Sequence, residues 1–408
     1  MEKELEKGKT LLVKGPSRIE LVDGKVEVFG RLMDSQKGGG SNEDEGENEL
    51  IIQSAYQYPL YAVEDSVLDI YTSNPEENVS ELSENSIPNE WIEIKDAILK
   101  QLKKRKHEQP IKIMPLGLSR GKTSLCKYLA NNFLREDLQG GYLDSDLGQQ
   151  IMFVPTTLNI GEIKKPFISG KDIEPEFTKF IGATFPKETL KFTVSHECNN
   201  LIQNYIEDHP ESDFIIIDTD GWIKSEAGLI YKLFFIKTVD PDIVIVFHDE
   251  EIEELKEIEN KIKETKKRKL FQMEKGNENY YDKDKEDRRF LRQSRFSNIL
   301  ETFQKTSIPL DDIKFIKKEY DKENNEVIEK ELNIQELIQL PYHYVLIALL
   351  DGESKIIKLG LLFSINLEKN YFLSFTSLTY KEQIQVEKVL VGSLRLSTKG
   401  NHQGYLYL

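Results

Sequence analysis

Two cysteines in 408 residues, Cys126 and Cys198, cannot supply a disulfide framework or a cysteine-rich zinc site. The plain expectation is a reducing cytoplasmic setting with no structural metal. No apolar run reaches the length of a membrane span, and the opening MEKELEKGKT has no apolar core of the kind a secretory signal needs. Positive charge is also in deficit. A formal net charge of −16 excludes a protein that coats nucleic acid, but not one that grips a strand end in a local groove. No internal repeat is visible.

What is present divides into three parts. Hydrophobic residues make up 38% and charged residues 31%, with length enough for two or three domains. Residues 10–29 alternate apolar and polar around Asp23-Gly24, which predicts a β-hairpin, and strand-like composition resumes after a glycine-rich, acidic loop at 35–49. A small β domain is therefore expected over 1–86. From Pro88, the spacing of Trp91, Ile94, Ile98 and Leu102 predicts a helix. The short apolar runs GGYLD, DFIIID and DIVIVF read as buried parallel strands separated by helical stretches such as 226–238. The expected fold class is α/β: a central parallel sheet of the phosphate-loop type, helices on both faces, spanning 87–338. A third, small β domain is expected over 339–408, from HYVLIALLD onward.

Chemistry concentrates in IKIMPLGLSRGKTSL, which reads as strand, turn and helix. Backbone N–H groups at such a helix start cradle phosphate, a lysine reaches the β/γ oxygens, and a hydroxyl ligates Mg²⁺. Gly117, Leu118, Ser119, Arg120, Gly121, Lys122, Thr123 and Ser124 are the expected nucleotide contacts. Leu116 stands where the customary first glycine is absent, and Gly117 is expected to absorb the turn. Two further strands end in carboxylates. YLDSDLGQ supplies Asp144 and Asp146, two apart and so on one face if the strand continues, with Gly148 and Gln149 following. FIIIDTDGW supplies Asp218. Thr123, Asp144 and Asp218 are the candidate metal ligands.

GKTS, DSDLGQ, TDGW and RRFLRQSRF, in this order and spacing, resemble the RNA 5′-hydroxyl kinases, the archaeal polyribonucleotide kinases and their eukaryotic relatives in RNA processing. The resemblance implies transfer of the ATP γ-phosphate to a polynucleotide 5′-hydroxyl, usually of RNA, with DNA a second acceptor. It implies Lys122 and Thr123 on triphosphate and Mg²⁺, Asp146 as base, and Thr219, Gly221 and Trp222 as a clasp for the terminal nucleotide. Gln149 joins that substrate set. An indole stacks on any base, so Trp222 suits a sequence-tolerant site. The segment at about 280–304 resembles the family's lid. Arg288, Arg292 and Arg295 recur at helical spacing, with Phe296, Ile299, Leu300 and Phe303 as an apolar stripe beyond. Arg288 and Arg292 are expected over the γ-phosphate and Arg295 on the substrate. Lys283 replaces an expected arginine, keeping the charge without the planar fork. Phe185 stands where a small polar residue is usual, and no chemistry is assigned to it.

Two other readings compete. An ATP-binding scaffold of an RNA-processing complex, with little turnover, would suit the departures at Leu116 and Lys283. A GTP-driven switch would need an Asn-Lys-x-Asp motif, which is missing: NKIKE at 260–264 lacks the aspartate.

Overall fold

The apolar runs form the middle of a seven-stranded sheet. Its strands are Ile111–Leu116 (β1), Gly140–Asp144 (β2), Thr157–Glu162 (β3), Phe177–Phe180 (β4), Phe214–Asp218 (β5), Ile243–Phe247 (β6) and Lys269–Met273 (β7). Their spatial order is β4-β3-β2-β5-β1-β6-β7. The structure, a computed structural model, describes residues 1–36, 48–104, 109–118, 121–273 and 281–408. Ser119, Arg120 and most of the expected 35–49 loop lie outside the described residues.

Five strands, β2, β5, β1, β6 and β7, run parallel. The expected all-parallel sheet is extended by β3, which pairs antiparallel with β2 and with β4. Both faces are covered, so the central strands are apolar throughout. On one face Ile113, Ile216 and Ile245 pack with Trp91, Leu129 and Phe133. These come from helices Asn89–Lys104 (α1) and Lys122–Leu134 (α2). On the other, Met114, Leu116, Ile217 and Val246 pack with Leu201, Phe235 and Ile258. These belong to helices Leu190–Asp208 (α3), Glu226–Val239 (α4) and Glu253–Thr265 (α5). Each such side chain contributes roughly 1.5–3 kcal/mol by leaving water.

The first part of the chain forms two sheets, of four and five strands. The expected hairpin around Asp23-Gly24 is not one. Ser17–Asp23 lies in the four-stranded sheet and Lys25–Val28 in the five-stranded sheet, so Gly24 turns a corner between layers. Alternation marks half-buried strands but not their partners.

The third sheet begins earlier than expected. Strands Gln304–Pro309, Lys314–Asp321 and Glu326–Glu331 belong to the same eight-stranded sheet as Val345–Leu350, so its strands start at 304 rather than after 339. Helix Lys285–Leu300 (α6), the expected lid, leads straight into it. Phe296 and Leu300 are buried with Leu361, Leu394 and Leu396 of that sheet, and Ile299 and Phe303 pack beside them. The apolar stripe thus anchors the second half of the helix.

A backbone contact joins this sheet to the loop after β4. Ser393 and Leu394 N–H groups donate to the Gly182 carbonyl at 2.8 and 2.9 Å. A Cβ on Gly182 would sit 2.3 Å from the Gly392 Cα, so neither residue tolerates a side chain. Gly182→Ala is expected to lower unfolding free energy by about 3 kcal/mol, against about 1 kcal/mol for Gly8→Ala, whose Cβ would meet nothing within 4 Å. Denaturant titration of both variants checks this.

Candidate functional site

β1 ends at Leu116, whose side chain is fully buried in the apolar layer beneath the sheet and not in the loop. The leucine at the unusual position therefore leaves the cradle open. Gly117 serves close approach, since a Cβ there would lie 2.7 Å from the Phe247 Cβ. The positive φ, expected at Gly117, is found instead at Gly121 (φ 102), the residue that caps α2. Lys122 follows as the first helical residue and donates from Nζ to the Gly117 carbonyl at 2.8 Å. Burial lowers its pKa, opposed chiefly by the Asp218 charge.

Thr123 and Asp218 tie helix α2 to strand β5. The Thr123 hydroxyl donates to Asp218 Oδ2 at 2.7 Å and the Tyr142 hydroxyl to the same oxygen at 2.9 Å. Asp218 Oδ1 is buried with no hydrogen-bond partner among the described residues. Burial raises the Asp218 pKa against the opposing bonds and the Lys122 charge. An orphaned carboxylate oxygen beside a loop hydroxyl suits a hard divalent cation that also takes phosphate oxygens.

The two aspartates after β2 part company. Asp144, paired in register with Asp218, is buried and turned back into its own loop. Its oxygens accept from Ile151 N at 2.6 Å and Asp146 N at 3.2 Å. It does not line the cleft, contrary to the expectation of a shared face, because the strand stops at Asp144. Asp146 does line the cleft, and its Oδ1 accepts from Gly148 N at 2.8 Å and Gln149 N at 2.9 Å. Burial, then the neighbouring Asp220 charge, raises the Asp146 pKa above the ordinary aspartate value. A carboxylate so placed is a better proton acceptor.

The cleft, about 460 Å³, collects most of the expected residues. Leu118, Gly121, Lys122, Thr123 and Ser124 line it together with Asp146, Gln149, Thr219, Gly221, Trp222, Lys283, Arg288 and Arg292. Thr219 is held by a 2.9 Å bond from its hydroxyl to the Pro115 carbonyl. Gln149 Nε2 reaches the Arg288 carbonyl at 3.3 Å, linking the base-bearing loop to the lid helix. Arg295 is placed elsewhere. Its guanidinium donates to the Ile151 and Phe153 carbonyls at 2.9 and 3.3 Å, outside the cleft, so it braces helix α6. Arg288, Arg292 and Arg295 do lie on one helix, but seven residues on from Arg288 the face has rotated onto the β2–β3 loop.

Several contributors had no assigned role. Tyr56 and Tyr58, from the first domain, and Lys127, on α2, also line the cleft. Lys283 Nζ lies 3.9 Å from the Tyr56 ring centroid, so its ammonium is used as a point charge over an aromatic face. Burial pushes the Tyr56 pKa up, but Lys283, Arg295 and Lys127 outweigh it and bring it down to about 8. Phe185 packs on Trp222 with centroids 4.4 Å apart. The surest missed signal was the lysine of α4. Lys232, 1% exposed, places Nζ 2.9 Å from Asp220 Oδ2, while Asp220 Oδ1 accepts from Trp222 N at 2.7 Å.

These features define a phosphate-loop nucleotide site whose cleft also holds a half-buried aspartate and a tryptophan. The family model described as mRNA cleavage and polyadenylation factor CLP1 P-loop matches residues 118–302. A polyribonucleotide 5′-hydroxyl-kinase of Methanocaldococcus jannaschii is 27% identical over 342 residues, covering 73% of this chain and 91% of that protein. Another, of Pyrococcus furiosus, is 27% identical over 209 residues, covering 50% of this chain and 55% of that one. The fold is similar to Clp1p in a Clp1p–Pcf11p complex, with TM-score 0.70, 15% identity and 97% of each chain covered. The resemblance carried by GKTS, DSDLGQ, TDGW and RRFLRQSRF is borne out: the chain is similar to polyribonucleotide 5′-hydroxyl-kinases, and residues 118–302 match the CLP1 P-loop model. Among the described residues, no helix is long and apolar enough to cross a membrane.

The Lys232–Asp220–Trp222 chain makes a test of how the clasp is held. In a Trp91→Phe background, which leaves Trp222 as the sole tryptophan, Lys232→Met is expected to red-shift the emission and to cost about 2 kcal/mol of stability. Fluorescence spectra and thermal melts provide the measurement.

Proposed function

We propose that this chain is an ATP-dependent kinase that transfers the γ-phosphate to the 5′-hydroxyl end of RNA. The observation that carries this reading is the convergence of Lys122, Asp146, Trp222, Arg288 and Arg292 on one cleft. The names of the related archaeal proteins support it.

In this mechanism the α2 N-terminus and Lys122 hold the triphosphate of ATP, displacing the Lys122 contact to Gly117. Thr123 and Asp218 are the residues that would hold Mg²⁺, which supplies charge neutralisation for the β/γ oxygens when bound. Asp144, with both oxygens on backbone amides, is left out of that set. The terminal nucleotide stacks on Trp222, which brings its 5′-hydroxyl to Asp146. Asp146 takes the proton as the 5′-oxygen bonds to the γ-phosphorus and the bond from that phosphorus to the bridging oxygen of ADP breaks. Arg288 and Arg292 stabilise the charge on the transferring group. Positioning and electrostatics carry most of such a transfer. Two buried free thiols, Cys126 and Cys198, fit a reducing compartment such as the cytoplasm.

Asp146→Asn is expected to reduce turnover by about 10²–10⁴-fold with ATP binding retained, and Lys122→Ala to lose both. Labelled ATP and a 5′-hydroxyl oligoribonucleotide provide the assay. Full activity in Asp146→Asn would remove it as base. Tight ATP retention by the unmodified protein, with no transfer to RNA or DNA, would identify the scaffold reading instead.

A further inference from the structure

The cleft does not end at Trp222. Phe185, 37% exposed, continues the aromatic surface from the clasp, and its neighbour Thr184 meets the Tyr405 hydroxyl at 3.2 Å. Tyr405 belongs to His402–Tyr405, the last strand of the third sheet. Its ring lies 4.9 Å from His402 and 6.4 Å from Tyr407. Tyr407 is 74% exposed, an unusual state for a large ring that packs on nothing larger.

Arginines accompany this row. Arg292 lines the cleft, and Tyr405 and Asp146 are the groups whose fields oppose its desolvation. Arg289, the next exposed cation on α6, lies with Arg292 near enough to His402 to add to the effect of burial in lowering its pKa. The helix is fixed to this strand's approach through a Gln293–Asn401 hydrogen bond. Exposed Phe185, His402 and Tyr407, joined through a half-buried Tyr405 that packs on the third sheet and flanked by arginines, lead out of a site for a strand end, as a single-stranded polynucleotide needs. Rings stack on successive bases and cations neutralise the phosphates between them.

We propose that the row Phe185, Tyr405, His402 and Tyr407, flanked by Arg289 and Arg292, is a binding track for the nucleotides downstream of the phosphorylated end of a single-stranded RNA. This rests on the kinase reading and extends it: the third sheet becomes part of the acceptor site. Against a net charge of −16, arginines beside an aromatic row give a local patch to which a polyanion can be drawn.

Tyr407→Ala combined with Arg289→Ala, both exposed, tests the track. Two acceptors are compared, a 5′-hydroxyl decaribonucleotide and a nucleoside 3′-monophosphate, which is too short to reach the third sheet. The expected result is a fall of about tenfold in kcat/KM for the decamer, with the mononucleotide unaffected. Fluorescence anisotropy with a 3′-labelled decamer is expected to show the same loss in affinity, with a shallower salt dependence. This readout needs no turnover, so it judges the track even if the protein transfers no phosphate. Equal losses on both acceptors, or unchanged decamer binding in a variant of unchanged melting temperature, would overturn the proposal.

Discussion

The hydrogen bond from the Thr123 hydroxyl to Asp218 Oδ2 joins the two elements on which the site is built, the N-terminus of the loop helix and the end of the central strand. Around it four aspartates, 144, 146, 218 and 220, crowd a small volume at the carboxyl ends of parallel strands. Burial raises the pKa of the first three, and neighbouring aspartate charges add to it at Asp144 and Asp146. Such a cluster persists only when each oxygen is engaged, and most are: backbone amides hold Asp144 and Asp146, hydroxyls hold Asp218, and Lys232 holds Asp220. Asp218 Oδ1 is buried with no hydrogen-bond partner among the described residues, and it is the oxygen that the proposed chemistry would give to a cation.

The same accounting explains why the flanking sheets belong to the site rather than decorating it. The first domain delivers Tyr56 and Tyr58 to the cleft, and Tyr56 carries the Lys283 ammonium on its ring. The third sheet grips the loop bearing Thr184 and Phe185 through the Gly182 carbonyl, and it buries the second half of the lid helix. The first half of that helix carries Arg288 and Arg292, which line the cleft. Its second half is fixed by packing and by Arg295 on the Ile151 carbonyl.

Much of this was legible in the chain. Strands buried on both faces announce themselves as apolar runs, and the turn chemistry of GKTS is local, so the sheet and the loop followed from short windows. Strand partnership is not local. Asp23-Gly24 looks like a hairpin turn because nothing in those residues records that Ser17–Asp23 and Lys25–Val28 lie in different sheets. The strands from Gln304 onward carry mixed charge, since Glu326–Glu331 lies at a sheet edge with almost no buried residue, and so they lacked the apolar mark of a domain. Asp144 and Arg295 failed for a common reason: a periodicity was extended past the point where the element or its neighbours changed, at the end of β2 and at the β2–β3 loop.

The three departures from the family pattern turn out to be of different kinds. Leu116 is a core residue on a strand, so its cost to phosphate binding is removed by the glycine that follows, which lets the chain pass Phe247. Lys283 exchanges a planar fork for a point charge and finds a ring to suit it. Phe185 alone changes what the cleft presents to a ligand. A small polar residue there would leave Trp222 without this partner, whereas the Phe185 ring packs on it 4.4 Å away, tilted by 50°, and restricts the positions open to the indole.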